Sequence, residues 1–328
     1  MPNNKHMMNK KFVSLLILVL IPLLGMSQGK FVERRMQSTH KNQSKNSTTS
    51  TTEKSVSSTK PSSESTPKRS TQSSIDKVKT LAKIPSASQY AGILDFTVLS
   101  ESEKTVEVKA SNVYEAPHNI DIPSQVRING VVYTVTSIGD MAFALCSRLT
   151  KIIIPNTVTK IEGSAFVYCE NLTSVTIPNS VTSINGYAFQ SCSNLTSINV
   201  ESGNKYYSSQ DGVLYSKDKS KLCIYPGGKR GSFTIPDSVT SIGEGAFWDC
   251  KGLTSISIPN SVIEIGEGAF GECWGLTSIT IPNSVTSMGK GAFDNCVSLT
   301  KVTMPSRFLR RKSEIFENCS NLKNINTY

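Results

Sequence analysis

Seven cysteines each stand three residues after a phenylalanine: Cys146, Cys169, Cys192, Cys250, Cys273, Cys296 and Cys319 follow Phe143, Phe166, Phe189, Phe247, Phe270, Phe293 and Phe316. Thiols can pair as disulfides, ligate a metal or act as nucleophiles, and each use needs particular neighbours. Zinc sites gather cysteine and histidine at short spacing, whereas this chain has no Cys-x-x-Cys, and an odd set of seven cannot all pair internally. Nucleophilic catalysis needs a base. Of the three histidines, His6 and His40 fall in the N-terminal segments and only His118 reaches the folded region, within the cap, between Ala-Pro and Asn-Ile, where it reads as a loop residue. The seven cysteines therefore read as a buried ladder of small apolar side chains, with scattered disulfides as the alternative. Cys223 lies outside the ladder.

Carboxylates are the other candidates. Glu244 and Glu267 occupy the same place in successive Gly-Glu-Gly-Ala-Phe units, and two carboxyl groups about 5–5.5 Å apart would suit a retaining glycosidase. Lys290 continues the row, which makes a solvated ion-pair row on a surface without a deep pocket the simpler reading. Gly-Glu-Gly also lacks the Lys-Ser/Thr of a phosphate loop. The reading is a non-enzyme with no catalytic residue, cofactor or metal.

The elements that position these residues follow from the spacing. The Phe–Cys pairs recur every 23 residues, except for a step of 58 between Phe189 and Phe247. Such a period marks a solenoid, in which no unit buries its apolar face alone. In one unit Val175 and Ile177 alternate with Ser174 and Thr176, the period of a half-buried strand, and Pro178 ends it. Val181, Ile184, Ala188, Phe189 and Cys192 are three or four apart, which predicts a bend and one short helical turn. Upstream, Ile93–Val98 and Thr105–Ala110 flank a polar turn, and Asn129-Gly130 separates Val126–Ile128 from Val131–Tyr133; both read as hairpins. Together they form an N-terminal β cap over the first open edge of the coil.

The full pattern, Ile-Pro-x-Ser-Val-Thr-x-Ile-Gly-x-x-Ala-Phe-x-x-Cys-x-x-Leu-Thr-x-Ile, resembles the BspA-type leucine-rich repeat family over about residues 89–328. Ile235 to Ile258 and Ile258 to Ile281 carry nearly every element, and Asp211-Gly-Val-Leu-Tyr215 resembles an insert common in that family. The last unit departs from the pattern, with Phe308, Arg311 and Ile315 where Val285, Met288 and Ala292 stood, as suits a terminal cap. The resemblance implies a leucine-rich repeat solenoid, a β-strand and a short helical turn per repeat in a curved parallel sheet. It also implies adhesion to host extracellular matrix or cell-surface proteins.

Four regions are expected: a signal peptide at 1–27, a basic Ser/Thr-rich stalk at 28–88, the β cap at 89–134, and repeats at 135–328 with an insertion at about 201–234. Lys5, Lys10 and Lys11 precede a 14-residue apolar run, Phe12–Gly25, which holds Pro22 and falls short of the ~20 residues that span a bilayer. Cleavage would leave no transmembrane span, and no cysteine near the site supports a lipid anchor. Residues 38–74 contain 21 Ser or Thr in 37 positions and no aromatic, so nothing there nucleates a core. The net charge of +10 does not signal nucleic acid, since residues 84–328 hold 20 Lys or Arg against 21 Asp or Glu. An exported protein of a bacterial cell surface, or one released from it, is the expectation.

Two binding surfaces are candidates. The strand face presents short hydroxyls, among them Ser255, Ser278 and Thr280, which suits weak, repetitive or glycan contacts. The insertion adds Tyr206, Tyr207, Tyr215 and Tyr225 beside Lys217, Lys219, Lys221, Lys229 and Arg230, and aromatic and cationic side chains are those that dominate protein interfaces. Tyr206, Tyr207, Tyr215 and Lys221 are the contact residues expected there, although tyrosines could equally close the gap in the coil. Host proteins are the first partner class. A carbohydrate-binding accessory of a polysaccharide-uptake system is the alternative.

Overall fold

The computed structural model describes residues 84–328; the expected signal peptide and all but the last few residues of the expected stalk lie outside the described residues. Two hairpins open the fold, β1 (Leu94–Ser100) with β2 (Thr105–Ala110) and β4 (Gln125–Ile128) with β5 (Val131–Ile138), and the short strand β3 (Asn119–Asp121) lies between them. Asn129 and Gly130 take the positive φ values, 49° and 82°, that a two-residue hairpin turn demands.

Beyond the hairpins the chain coils, and each coil lays down two strands. The first row is β3, β6 (Lys151–Ile153), β8 (Ser174–Ile177), β10 (Ser197–Val200), β14 (Gly231–Thr234), β16 (Leu253–Ser257), β18 (Ser278–Thr280), β20 (Lys301–Met304) and β21 (Asn324–Thr327). The second row is β5, β7 (Lys160–Ile161), β9 (Ser183–Ile184), β13 (Lys221–Ile224), β15 (Ser241–Ile242), β17 (Glu264–Ile265) and β19 (Ser287–Met288). Where neighbours in a row pair, they do so in parallel and in register at the repeat interval, as in Ser278↔Lys301↔Asn324 and Glu264↔Ser287, and the first row also parts between β6 and β8 and between β16 and β18. The cap joins the second row, with β2 parallel to β5.

The return path differs from the expected helical turn in its hydrogen bonds. It is a string of i→i+3 turns, such as Cys169 N–H to Phe166 O at 3.1 Å and Leu172 N–H to Cys169 O at 3.1 Å. Other N–H groups reach the next coil: Phe166 donates to Ala188 O at 2.8 Å, Phe247 to Ala269 O at 2.7 Å and Phe270 to Ala292 O at 2.7 Å. The chain can turn this way because the residue before every repeat cysteine is left-handed. Leu145, Tyr168, Ser191, Asp249, Glu272, Asn295 and Asn318 have φ of 56–63°. In most coils a second left-handed residue stands four positions earlier, as at Met141, Ser164, Gly245, Gly268 and Gly291, and together they keep the backbone from continuing as a helix.

The phenylalanines stack face to face in the interior, with centroids 5.4 Å apart for Phe143–Phe166 and 4.9 Å for both Phe247–Phe270 and Phe270–Phe293. Repeat cysteines line the same interior as free thiols, and they are more than small apolar fillers. Cys169, Cys192, Cys273 and Cys296 point Sγ at the carbonyls of Phe143, Phe166, Phe247 and Phe270 one coil back, at 3.1–3.2 Å.

The insertion is woven into the coil. β11 (Tyr207–Gln210) and β12 (Val213–Ser216) form a hairpin, β13 pairs antiparallel with β12 and parallel with β15, and Tyr225 takes the phenylalanine's place, 4.9 Å from Phe247. β12 partitions the core: Leu214 packs with a cluster that begins at Leu94, while Val213 and Tyr215 pack with one that ends at Phe316. Both strand rows break here, since β10 does not pair with β14 nor β9 with β13. Gly212 O accepts Ile198 N–H at 2.8 Å, and the Tyr207 hydroxyl accepts Ile184 N–H at 2.9 Å.

At the far end the sequence departures have a structural use. A 3-10 helix (Ser306–Arg311) and a short helix α1 (Lys312–Ile315) replace the second-row strand. Arg307 donates to Asn283 O and Val285 O at 3.2 Å each, and Arg311 to Met288 O at 3.0 Å, so guanidinium groups cover carbonyls that a further strand would have taken.

Candidate binding surface

Strand alternation turns Ser255, Ser278 and Thr280 outward, and all three are exposed. Register aligns Ser174 with Ser197, Thr176 with Asn199, and Thr280 with Thr303 and Asn326, which makes two columns of short hydroxyl and amide groups. Ile153, 46 % exposed, is an apolar exception.

The insertion residues separate into two sets. Tyr206 is 53 % exposed and Lys221, the first residue of β13, is exposed as well. Tyr207 is half-buried and its hydroxyl is committed to Ile184. Tyr215 is 2 % exposed and belongs to the core, which removes it from the contact surface: β12 runs between β11 and β13, and its whole apolar stretch is covered. Burial pushes the phenols of Tyr215 and Tyr225 up to about 12. Lys221 lies on the second strand row and Ser255, Ser278 and Thr280 on the first, so the two candidate surfaces do not merge into one patch.

The turn side of the coil carries a feature that spacing did not reveal. Trp248 and Tyr187 meet edge to face at 5.6 Å across the insertion. Glycine is required below them, since a Cβ at Gly271 would come within 2.5 Å of the Trp248 ring and one at Gly245 within 2.6 Å of Tyr187. Tyr187 donates to Glu267 O at 3.3 Å, and its phenol is raised by burial and by Glu244 and Glu267. The carboxylate pair thus borders a packed aromatic side chain. One position on, the buried carboxylate of Asp249 lies 2.7 Å from Lys251, whose Nζ sits 4.3 Å over the Trp274 ring. Glu272 is raised to about 7, chiefly by burial and then by Asp249. Tryptophan at the αL edge of adjacent coils is the signal that locates this strip. Among the described residues no three His, Cys, Asp or Glu side chains gather as metal ligands, and no helix is long and apolar enough to cross a membrane.

The family profile described as "BspA type Leucine rich repeat region" matches residues 118–216 and 224–328 in six copies. The chain belongs to that family. The gap between the matched stretches falls at β13, where the insertion rejoins the BspA-type coil. Solved structures similar to this BspA-type chain include a leucine-rich repeat protein from Eubacterium ventriosum, 23 % identical, covering 72 % of this chain and 85 % of that one with a TM-score of 0.45. A leucine rich cell surface protein from Faecalibacterium prausnitzii is 23 % identical, with 72 % and 93 % covered and a TM-score of 0.41. The pneumococcal vaccine antigen PcpA is 21 % identical, with 71 % and 85 % covered and a TM-score of 0.39. No curated protein matches.

Proposed function

We propose that this BspA-type chain is an exported, non-enzymatic binding scaffold of a bacterial surface that adheres to host extracellular matrix or cell-surface proteins. Export rests on the apolar run Phe12–Gly25 behind three lysines, and the non-enzymatic reading on an exposed loop histidine, His118, as the sole histidine among the described residues and on the surface position of the Glu244–Glu267 row. The observation that carries the reading is the exposure of an aromatic and a cationic side chain on the insertion, Tyr206 and Lys221, where the strand face offers mostly short hydroxyl and amide groups. Hot spots need such side chains, and each ordered contact must outweigh its entropy cost. A second reading, glycan binding, is favoured by the hydroxyl columns through Ser255, Ser278 and Thr280.

The test is a screen of the purified protein against matrix proteins and glycans, repeated with Tyr206→Ala/Lys221→Ala and with Ser255→Arg/Ser278→Arg. Loss only in the first variant supports protein adhesion through the insertion; loss only in the second moves recognition to the strand face. Indifference to both would discard each surface.

A further inference from the structure

The break in the strand face at the insertion is itself a cleft. β10 and β14 follow one another in the coil, and at their starts Gly228 still donates to Leu195 O at 2.8 Å. Beyond that bond the hairpin tip Asp211–Gly212 stands between them. Gly212 has a φ of 77° and lies so close to β10 that a Cβ there would come within 2.9 Å of Ser197 Cα. On the other side β14 keeps an open edge. Gly231 and Ile235 donate to Gly252 O and Ser257 O at 2.8 and 3.1 Å, so the alternate residues Ser232 and Thr234 turn their N–H and C=O groups toward the gap. Among the described residues those groups have no hydrogen-bond partner.

The cleft has a volume of about 520 Å³, within the range of small-ligand sites. Thr196, Asp211, Lys229, Arg230, Ser232 and Phe233 line it. Phe233 stands in the inward column with Ile198, Ile256 and Ile279, and like its register partner Ile256 it is half-buried. Its ring is backed by Tyr225 at 4.7 Å and Phe247 at 6.0 Å. Lys229 and Arg230 hold no ion pair or hydrogen bond through their side chains among the described residues, whereas Lys251, Arg307 and Arg311 are each tied to a neighbouring coil or carboxylate.

A ligand for this cleft must offer an apolar face to Phe233, an anionic group to Lys229 and Arg230, and hydroxyl donors to Asp211. The geometry points to a carboxylated sugar, of the uronic or sialic acid type, as that ligand. A neutral sugar lacks the anion. A glutamate-rich peptide brings several carboxylates against Asp211 and no hydroxyl group to donate to it. The inference rests on the reading of the chain as a binding scaffold, and it adds a site separate from Tyr206 and Lys221.

Calorimetric titration of the full chain with glucuronate- and N-acetylneuraminate-bearing oligosaccharides, a neutral glucose oligomer and a glutamate-rich peptide tests it. Acidic sugars should bind and weaken as salt rises. Lys229→Ala/Arg230→Ala should reduce that binding about tenfold or more, as expected for lost charge-assisted contacts, with the melting temperature unchanged. Lys229→Glu should reduce it further. Failure of acidic sugars to bind, equal binding of the neutral oligomer or the peptide, or indifference to both variants would overturn the assignment. Matrix-protein adhesion that persists under any of those outcomes would leave the scaffold reading standing without this cleft.

Discussion

Cys273 points its thiol at the main-chain oxygen of Phe247, 3.2 Å away in the preceding coil, and that same oxygen accepts the N–H of Cys250 at 3.2 Å. One carbonyl thus joins its own turn to the next. The relationship explains why a ladder position that needs only a small side chain is filled by cysteine rather than alanine. Cys273→Ala should lower stability by about 1–2 kcal/mol, from a lost buried bond and a small void, and Cys273→Ser should lower it less. Urea unfolding is the measurement, and an Ala variant as stable as the parent would reduce the bond to a coincidence of packing.

Thiol chemistry offers a second check. Burial pushes Cys146 and Cys192 up to about 12 and Cys223 to about 11, so the native ladder should react slowly with a thiol reagent at neutral pH. Cys319, half-buried at the last coil and lowered by its contact with Cys296, should react first. Unfolding without reductant should release all eight thiols, and a count near zero would replace the ladder with disulfides.

Phe270 is fully buried between Phe247 and Phe293, each 4.9 Å away, whereas Trp274 is 41 % exposed. Phe270→Ala should cost about 3–5 kcal/mol, while Trp274→Ala should stay near 1 kcal/mol or below, losing one cation–π contact to Lys251. Comparable shifts in melting temperature would contradict the stacked register.

Glu272 titrates unusually high because it is half-buried beside Asp249 and Asp294, with Lys251 only partly compensating. Between the ordinary value of 4.5 and the folded value of about 7 the folded chain holds a proton that the unfolded chain releases. Stability should therefore fall as pH rises through that window and level off above it. Glu272→Gln should be flatter across the window and gain on the parent above pH 7; parallel curves would refute the assignment.

Much of this architecture was legible from Phe and Cys alone, since a fixed interval of 23 can only place those side chains in columns. The second strand row was not legible. Apart from β5 and β13 its members, such as Ser183–Ile184, are two residues long, too short for alternation to show, and they are held by neighbouring coils rather than by local preference. The insertion misled for a related reason. Tyr225 stands 22 residues before Phe247 and belongs to the ring stack, but counting forward from Phe189 loses the period. Tyr215 looked available because tyrosine suits interfaces, and only the pairing of β12 on both sides shows it to be covered. The cleft by Lys229 and Arg230 was likewise invisible, because it depends on which strands fail to pair.

The partition at β12 gives the molecule a mechanical seam. Elsewhere a coil is sewn to the next by main-chain bonds along the turn and by stacked rings even where the first row parts, but only around the insertion are both strand rows interrupted together, and a tyrosine hydroxyl stands in for a ladder. A coil held at one end and pulled at the other carries load along its axis. This one should yield between Ile184 and Lys221 first, releasing two blocks that stay individually wound, so the insertion sets how much pull the chain withstands before it lengthens.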